Sequence, residues 1–166
     1  MSFAIATWSE QSTPPSSRDR KAARPHKRVP GGAVDEPTRA RCDQPPAPEL
    51  LEGIEQFNKG EFFEQHETLE LLWRDTRTPD RGLYHGILQI GVGFHHWRNG
   101  NFHGASVLLD EGIERLRPFA PSCQTIDVAS LIADASVARA RLTQLGEAGM
   151  RTVDVVALAP RILFAR

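Results

Sequence analysis

Apolar positions recur at helical spacing along most of the chain beyond residue 48. Glu49 to Phe57 places Leu50, Leu51, Ile54 and Phe57 on one stripe, which predicts an amphipathic helix that Asn58-Lys59-Gly60 ends. A second helix is predicted over 61–76, with acidic residues early and Arg74 late, the order the helix dipole favours. Thr78-Pro79-Asp80 breaks the chain and opens a third helix that runs to about Arg98, where Asn99-Gly100 stops it. A fourth is expected from Asn101 to about Arg117, ahead of Pro118 and Pro121. A fifth is expected from the N-cap residue Asp127 to about Leu145, ahead of Gly146. No segment shows the alternation of a sheet, and 153–156 and 162–164 fit short extended or helical pieces equally well.

The first and second halves of this pattern echo each other. Phe57-Asn-Lys-Gly60-Glu-Phe62 and Trp97-Arg-Asn-Gly100-Asn-Phe102 align at an offset of 40 residues, with Leu69 over Leu109 and Trp73 over Ile113. Each copy reads as helix, glycine turn, helix. Two copies are too few for a solenoid, so the expectation is an all-α fold, a compact bundle of about five helices built on two αα-hairpins.

The 166 residues suffice for one domain with a real core. Residues 1–47 break the pattern: Pro14-Pro15, Pro30-Gly31-Gly32 and Pro45-Pro46 interrupt any regular element, and this Pro/Ser/Arg-rich arm is expected to be disordered. The expected division is therefore the arm over 1–47, a helical domain over 48–147 and a C-terminal tail over 148–166 packed on it. The arm holds eight Lys/Arg against five Asp/Glu, leaving twelve against sixteen for the remainder. A mildly acidic folded part argues against a nucleic-acid partner, which needs clustered positive charge. Cys42 and Cys123 form no CxxC or zinc-ribbon spacing, and Cys42 falls in the arm, so both are read as reduced thiols in a cytoplasmic protein. No apolar run is long enough to cross a membrane, and Met1 to Trp8 lacks the basic start of a secretion signal.

Candidate chemistry centres on two ionisable residues where a helix should be apolar. His66 and Glu70 lie one turn apart on the face that also carries Phe62, Leu69 and Trp73. A buried His and Glu need a partner, whether a hydrogen bond, a cation or a metal. On the third helix Gly82, Gly86, Gln89, Gly93 and His96 fall along one seam with His85 beside it, so another helix should approach closely there. The helix of His66 is the expected neighbour, which would bring His66, Glu70, Gln89 and His96 together between Trp73 and Trp97. Glu67, about 100° round the helix from His66, is a poor ligand but a candidate supporting base. His95 reads as a flank residue, His103 as an exposed helix start, and His26 belongs to the arm.

His66-x-x-x-Glu70-x-x-Trp73, preceded by Phe57-Asn58-x-Gly60 and followed by Gln89, His96, Asn101 and Gly104-Ala105, resembles the bacterial and archaeal domain of unknown function family 309 over about residues 50–117. The resemblance implies an all-helical fold and a signature suspected of binding metal, with no established reaction. In the metal reading, His66, Glu70 and His96 are ligands of a divalent transition metal ion, with Gln89, Glu67, Trp73 and His85 around them. Such a centre leaves room for an activated water and hence for a hydrolase. The alternative is a non-catalytic helical-hairpin binding or scaffold protein, taking a small molecule or a protein, whose His/Glu cluster is a polar network that fixes helix register.

Overall fold

The computed structural model describes residues 36–166. Helices α1 (Pro48–Asn58), α2 (Phe62–Asp75), α3 (Arg81–Arg98) and α4 (Phe102–Leu116) form two antiparallel hairpins, followed by a 3-10 turn over Arg117–Phe119. A miniature hairpin of β1 (Ser122–Cys123) and β2 (Ile126–Asp127) precedes α5 (Val128–Gly149) and the short α6 (Val155–Leu158). The all-α expectation stands, with this β-hairpin as an addition that no alternation in the sequence announced.

Both helix hairpins turn by the same device. Gly60 and Gly100 adopt left-handed φ values of 77° and 73°, which an L side chain rarely tolerates. Their N–H groups donate to Phe57 O and Trp97 O, and the next N–H groups, of Glu61 and Asn101, reach back to Gln56 O and His96 O, each at 2.9 Å. This is the Schellman pattern that satisfies the orphan carbonyls of a helix end. Asn101 then caps α4 by accepting from Gly104 N at 2.8 Å, and Asp127 caps α5 by accepting from Ser130 N at 3.0 Å. Helix α5 kinks at Gly146, whose φ is 64°.

The core is aromatic where the two hairpins meet. Phe57, Phe62, Phe94 and Trp97 are buried, with Phe62 stacked on Phe94 at 5.7 Å and Phe94 on Trp97 at 5.9 Å. Helix α3 is buried from Gly86 through Trp97, so it is the central helix, and its largest interfaces are with α4 and then α2. After α5, the chain returns to the bundle: Trp97 Nε1 donates to Met150 O, Asn58 exchanges two bonds with the backbone of Ile162, and Ile126 bridges Phe164.

Two expectations change here. The glycine seam of α3 faces α4, not the His66 helix. A Cβ on Gly86 would lie 2.7 Å from Leu116, one on Gly93 2.9 Å from Leu109, and one on Gly82 2.9 Å from Phe119. Gly112 of α4 answers Gly86, since its own Cβ would lie 3.0 Å from Gly86 O. Helix α2 instead approaches through Gly91, where Gln65 fills the space a side chain would take and donates to Ile87 O at 3.2 Å.

The second change concerns the cysteines, which are joined in a disulfide rather than reduced. Of the arm expected over 1–47, residues 1–35 and His26 among them lie outside the described residues, whereas 36–47 are turns laid against the domain. Arg39 donates to Ala120 O at 2.7 Å and to Ser122 O at 2.9 Å, and Gln124 N donates to Cys42 O at 2.7 Å. These bonds, two from the Arg39 side chain and one between backbones, set Cys42 beside Cys123. Spacing along the sequence cannot reveal a pairing that tertiary contacts create. Among the described residues, no helix is long and apolar enough to cross a membrane.

Candidate functional site

His66 and Glu70 do share one face of α2, and His66 Nε2 lies 3.6 Å from Glu70 Oε2. The imidazole is buried while Glu70 is half-exposed, so the pair spans from core to solvent. Glu67, on another face, is exposed. Phe63 packs near both His66 and His95, at ring distances of 6.4 and 5.9 Å. His95 is therefore not a flank residue: α3 is surrounded by other elements at this level, so both of the adjacent histidines are buried.

His95 and His96 are held uncharged by their surroundings. Burial pushes the His95 pKa down to about 4, helped by Arg98, His96 and His66 and opposed by Glu64. Burial, then His66, lowers that of His96 as well. Both rings bond to asparagines of the α3–α4 turn: His95 Nε2 meets Asn99 Nδ2 at 2.9 Å and His96 Nδ1 meets Asn101 Nδ2 at 3.2 Å.

The second bond assigns the His96 tautomer. Asn101 Oδ1 accepts from Gly104 N, so its NH2 group is the one facing His96 and donates to Nδ1. A neutral imidazole that accepts at Nδ1 carries its proton on Nε2. To bind a metal through Nε2, His96 would have to move that proton to Nδ1, against the amide that caps α4. Among the described residues no group of three or more His, Cys, Asp or Glu side chains could hold a metal ion. The residues thus offer the His66–Glu70 pair but do not fit a three-ligand centre completed by His96.

Gln89 does not join this cluster. Its side chain is buried toward α4, where Nε2 donates to Glu111 at 2.7 Å and Oε1 accepts from Arg115 Nε at 2.8 Å. His85, also on α3, stacks on Trp73 of α2 at 4.3 Å. Arg81 covers the same indole, its Cζ 4.6 Å from the ring centroid, and its Nε donates to Trp73 O at 3.0 Å. Burial, then Arg115, then Arg81, push the His85 pKa down to about 4. The expected single cluster is therefore two: His66, Glu70, His95 and His96 toward the glycine turn, and Trp73, Arg81, His85, Gln89, Glu111 and Arg115 toward the start of α3.

Sequence reasoning did not single out Arg81, Glu111 or Arg115. Arg81 sits four residues before His85, a spacing that was visible; nothing local linked Glu111 and Arg115 to Gln89. A third polar group, Asp80, is buried just before the first residue of α3, where its Oδ2 accepts from Tyr84 Oη at 2.9 Å and from Gln124 Nε2 at 3.0 Å. Burial is the main reason the Tyr84 pKa is pushed up to about 12. Open cavities of about 420 Å3 lie elsewhere, one beside Leu51, Asn58 and Phe164 and another beside Val137, Arg141 and Pro160.

No curated protein and no solved structure matches the chain. Residues 50–108, which run from α1 into α4 and hold every position of the signature, match the model of DUF309, described as a domain of unknown function.

Proposed function

We propose that the domain is a non-catalytic helical binding module, in which the buried histidines brace the bundle and the half-exposed Trp73 face receives a small molecule or a protein. The observation that carries this reading is the bond from Asn101 to His96, which commits one nitrogen of the imidazole to the turn that starts α4. His95 is tied to the same turn through Asn99. A network with these local partners fixes the α3–α4 register without a ligand.

The competing reading is a divalent transition metal on His66 and Glu70, serving a metal-dependent hydrolase; the 3.6 Å approach of the pair favours it. A titration of the full chain with zinc, manganese, iron(II) and nickel separates the two. The brace reading expects no metal-dependent rise in melting temperature, and a His96→Ala variant about 1–3 kcal/mol less stable with or without metal. Stoichiometric binding that raises the wild-type melting temperature and disappears in His66→Ala overturns it.

A further inference from the structure

Arg81, His85 and Gln89 follow one another at four-residue steps, so they line one stripe of α3 with His85 in the middle. Arg115 is delivered to the Gln89 end of that stripe from α4. Both guanidiniums act on His85 as nearby positive charges. Neither has an Asp or Glu oxygen within ion-pairing distance among the described residues, although Arg117 next door is paired with Glu114 at 2.8 Å. Both are also held in place. Arg81 is fixed by the Trp73 ring and carbonyl, and Arg115 by a glutamine that is 2% exposed and whose other end is bound to Glu111.

Each arginine spends its Nε on these anchors, and among the described residues its terminal NH2 groups take no hydrogen-bond partner. Those groups are the fork that binds carboxylate and phosphate oxygens. Arg81 is half-buried and Arg115 exposed, so the fork is open to solvent. The Glu111 carboxylate is bound to Gln89 rather than to Arg115, and its charge near this arrangement would weaken an anion without filling its place.

We infer that Arg81 and Arg115, bracketing His85 over the Trp73 indole, form a binding site for the oxyanion of a small molecule, a phosphate or a carboxylate. The inference rests on the reading of the domain as a binding module and names the ligand class of its Trp73 face. Two preorganised guanidiniums supply charge and bidentate geometry, while Trp73 and His85 supply a flat floor.

The test is NMR titration of the full chain with inorganic phosphate and, separately, with acetate. Saturable shifts of the Trp73 indole N–H and the His85 ring protons are expected. Arg81→Gln and Arg115→Gln should each weaken binding by about tenfold or more, Arg115→Lys by less, and Arg117→Gln should leave it unchanged. Glu111→Gln should tighten it. The anion that binds more tightly tells phosphate from carboxylate. Unshifted Trp73 and His85 signals with both anions, or affinities indifferent to Arg81 and Arg115 in variants that melt like the wild type, overturn the site. That failure would leave the metal titration of the module reading standing, so the two are told apart.

Discussion

Replacing Gly112 by alanine tests the close crossing of α3 and α4. The new Cβ would lie 2.8 Å from Ile90 Cγ1, 3.0 Å from Gly86 O and 3.1 Å from Ile90 N. Two of those three neighbours are backbone atoms in the interior of a helix, so a side-chain rotation cannot relieve the clash. The helices must separate instead, and overpacking of this kind costs about 1–3 kcal/mol. Alanine regains about 1 kcal/mol of helix propensity over glycine, leaving a net loss of roughly 0 to 2 kcal/mol. Gly53→Ala is the comparison, because the three atoms nearest its Cβ, the first 2.5 Å away, all belong to the Leu69 side chain and none to a backbone. Urea denaturation followed by circular dichroism reads both. Gly112→Ala should unfold at lower urea with an unchanged slope, and should lose more stability than Gly53→Ala. A Gly112→Ala protein more stable than the wild type would refute the reasoning, since an uncrowded helical glycine gains from alanine.

Three further outcomes are expected. Reducing the Cys42–Cys123 bond, or replacing both cysteines by serine, should cost about 2–4 kcal/mol in urea denaturation run with and without reductant, because the bridge constrains a long stretch of unfolded chain; coincident curves would count against the bridge. His85 binds a proton less readily folded than unfolded, so its neutral form contributes stability above pH 6.5 that is lost as the pH falls toward about 4. That loss should be at most about 3 kcal/mol and should shrink in His85→Phe, which keeps a ring against Trp73 without titrating; equal pH slopes would contradict it. Asn101→Ala should cost about 1–2 kcal/mol through the lost cap and shift the His96 ring signals in NMR, whereas an effect on stability alone would deny the Asn101–His96 bond.

The five main helices were legible in the sequence because the signals are local: the stripe of Leu50, Ile54 and Phe57, the two glycine turns, and the caps at Asn101 and Asp127. Spacing also showed that Gly86 and Gly93 mark a close approach. It could not show to which helix, because a face of α3 defined by its own residues does not name its neighbour. The same limit applies to Gln89, which lies on the predicted stripe but bonds across to α4. Gln124 and Thr125 make the two-residue hairpin turn with φ of 47° and 63°, a conformation usually signalled by Asn-Gly, so β1 and β2 had no turn residues to announce them. Gln124 is held there by Tyr84 and Asp80, far away in sequence. His95 could have been found. Ile87, Leu88, Ile90, Val92, Phe94 and Trp97 carry apolar side chains round every side of α3 and leave it no exposed flank at that level.

The Cys42–Cys123 bond also changes the topology of the molecule. It ties residues 81 apart into a covalent ring, and helices α1 to α4, with the whole of the 50–108 match, lie inside that ring. Cleavage in any one turn between these helices therefore opens the ring without releasing a fragment. A protease that makes one cut, after Arg77 or after Arg98, would leave a single disulfide-linked species on a gel run without reductant, and only thiol treatment would separate the pieces.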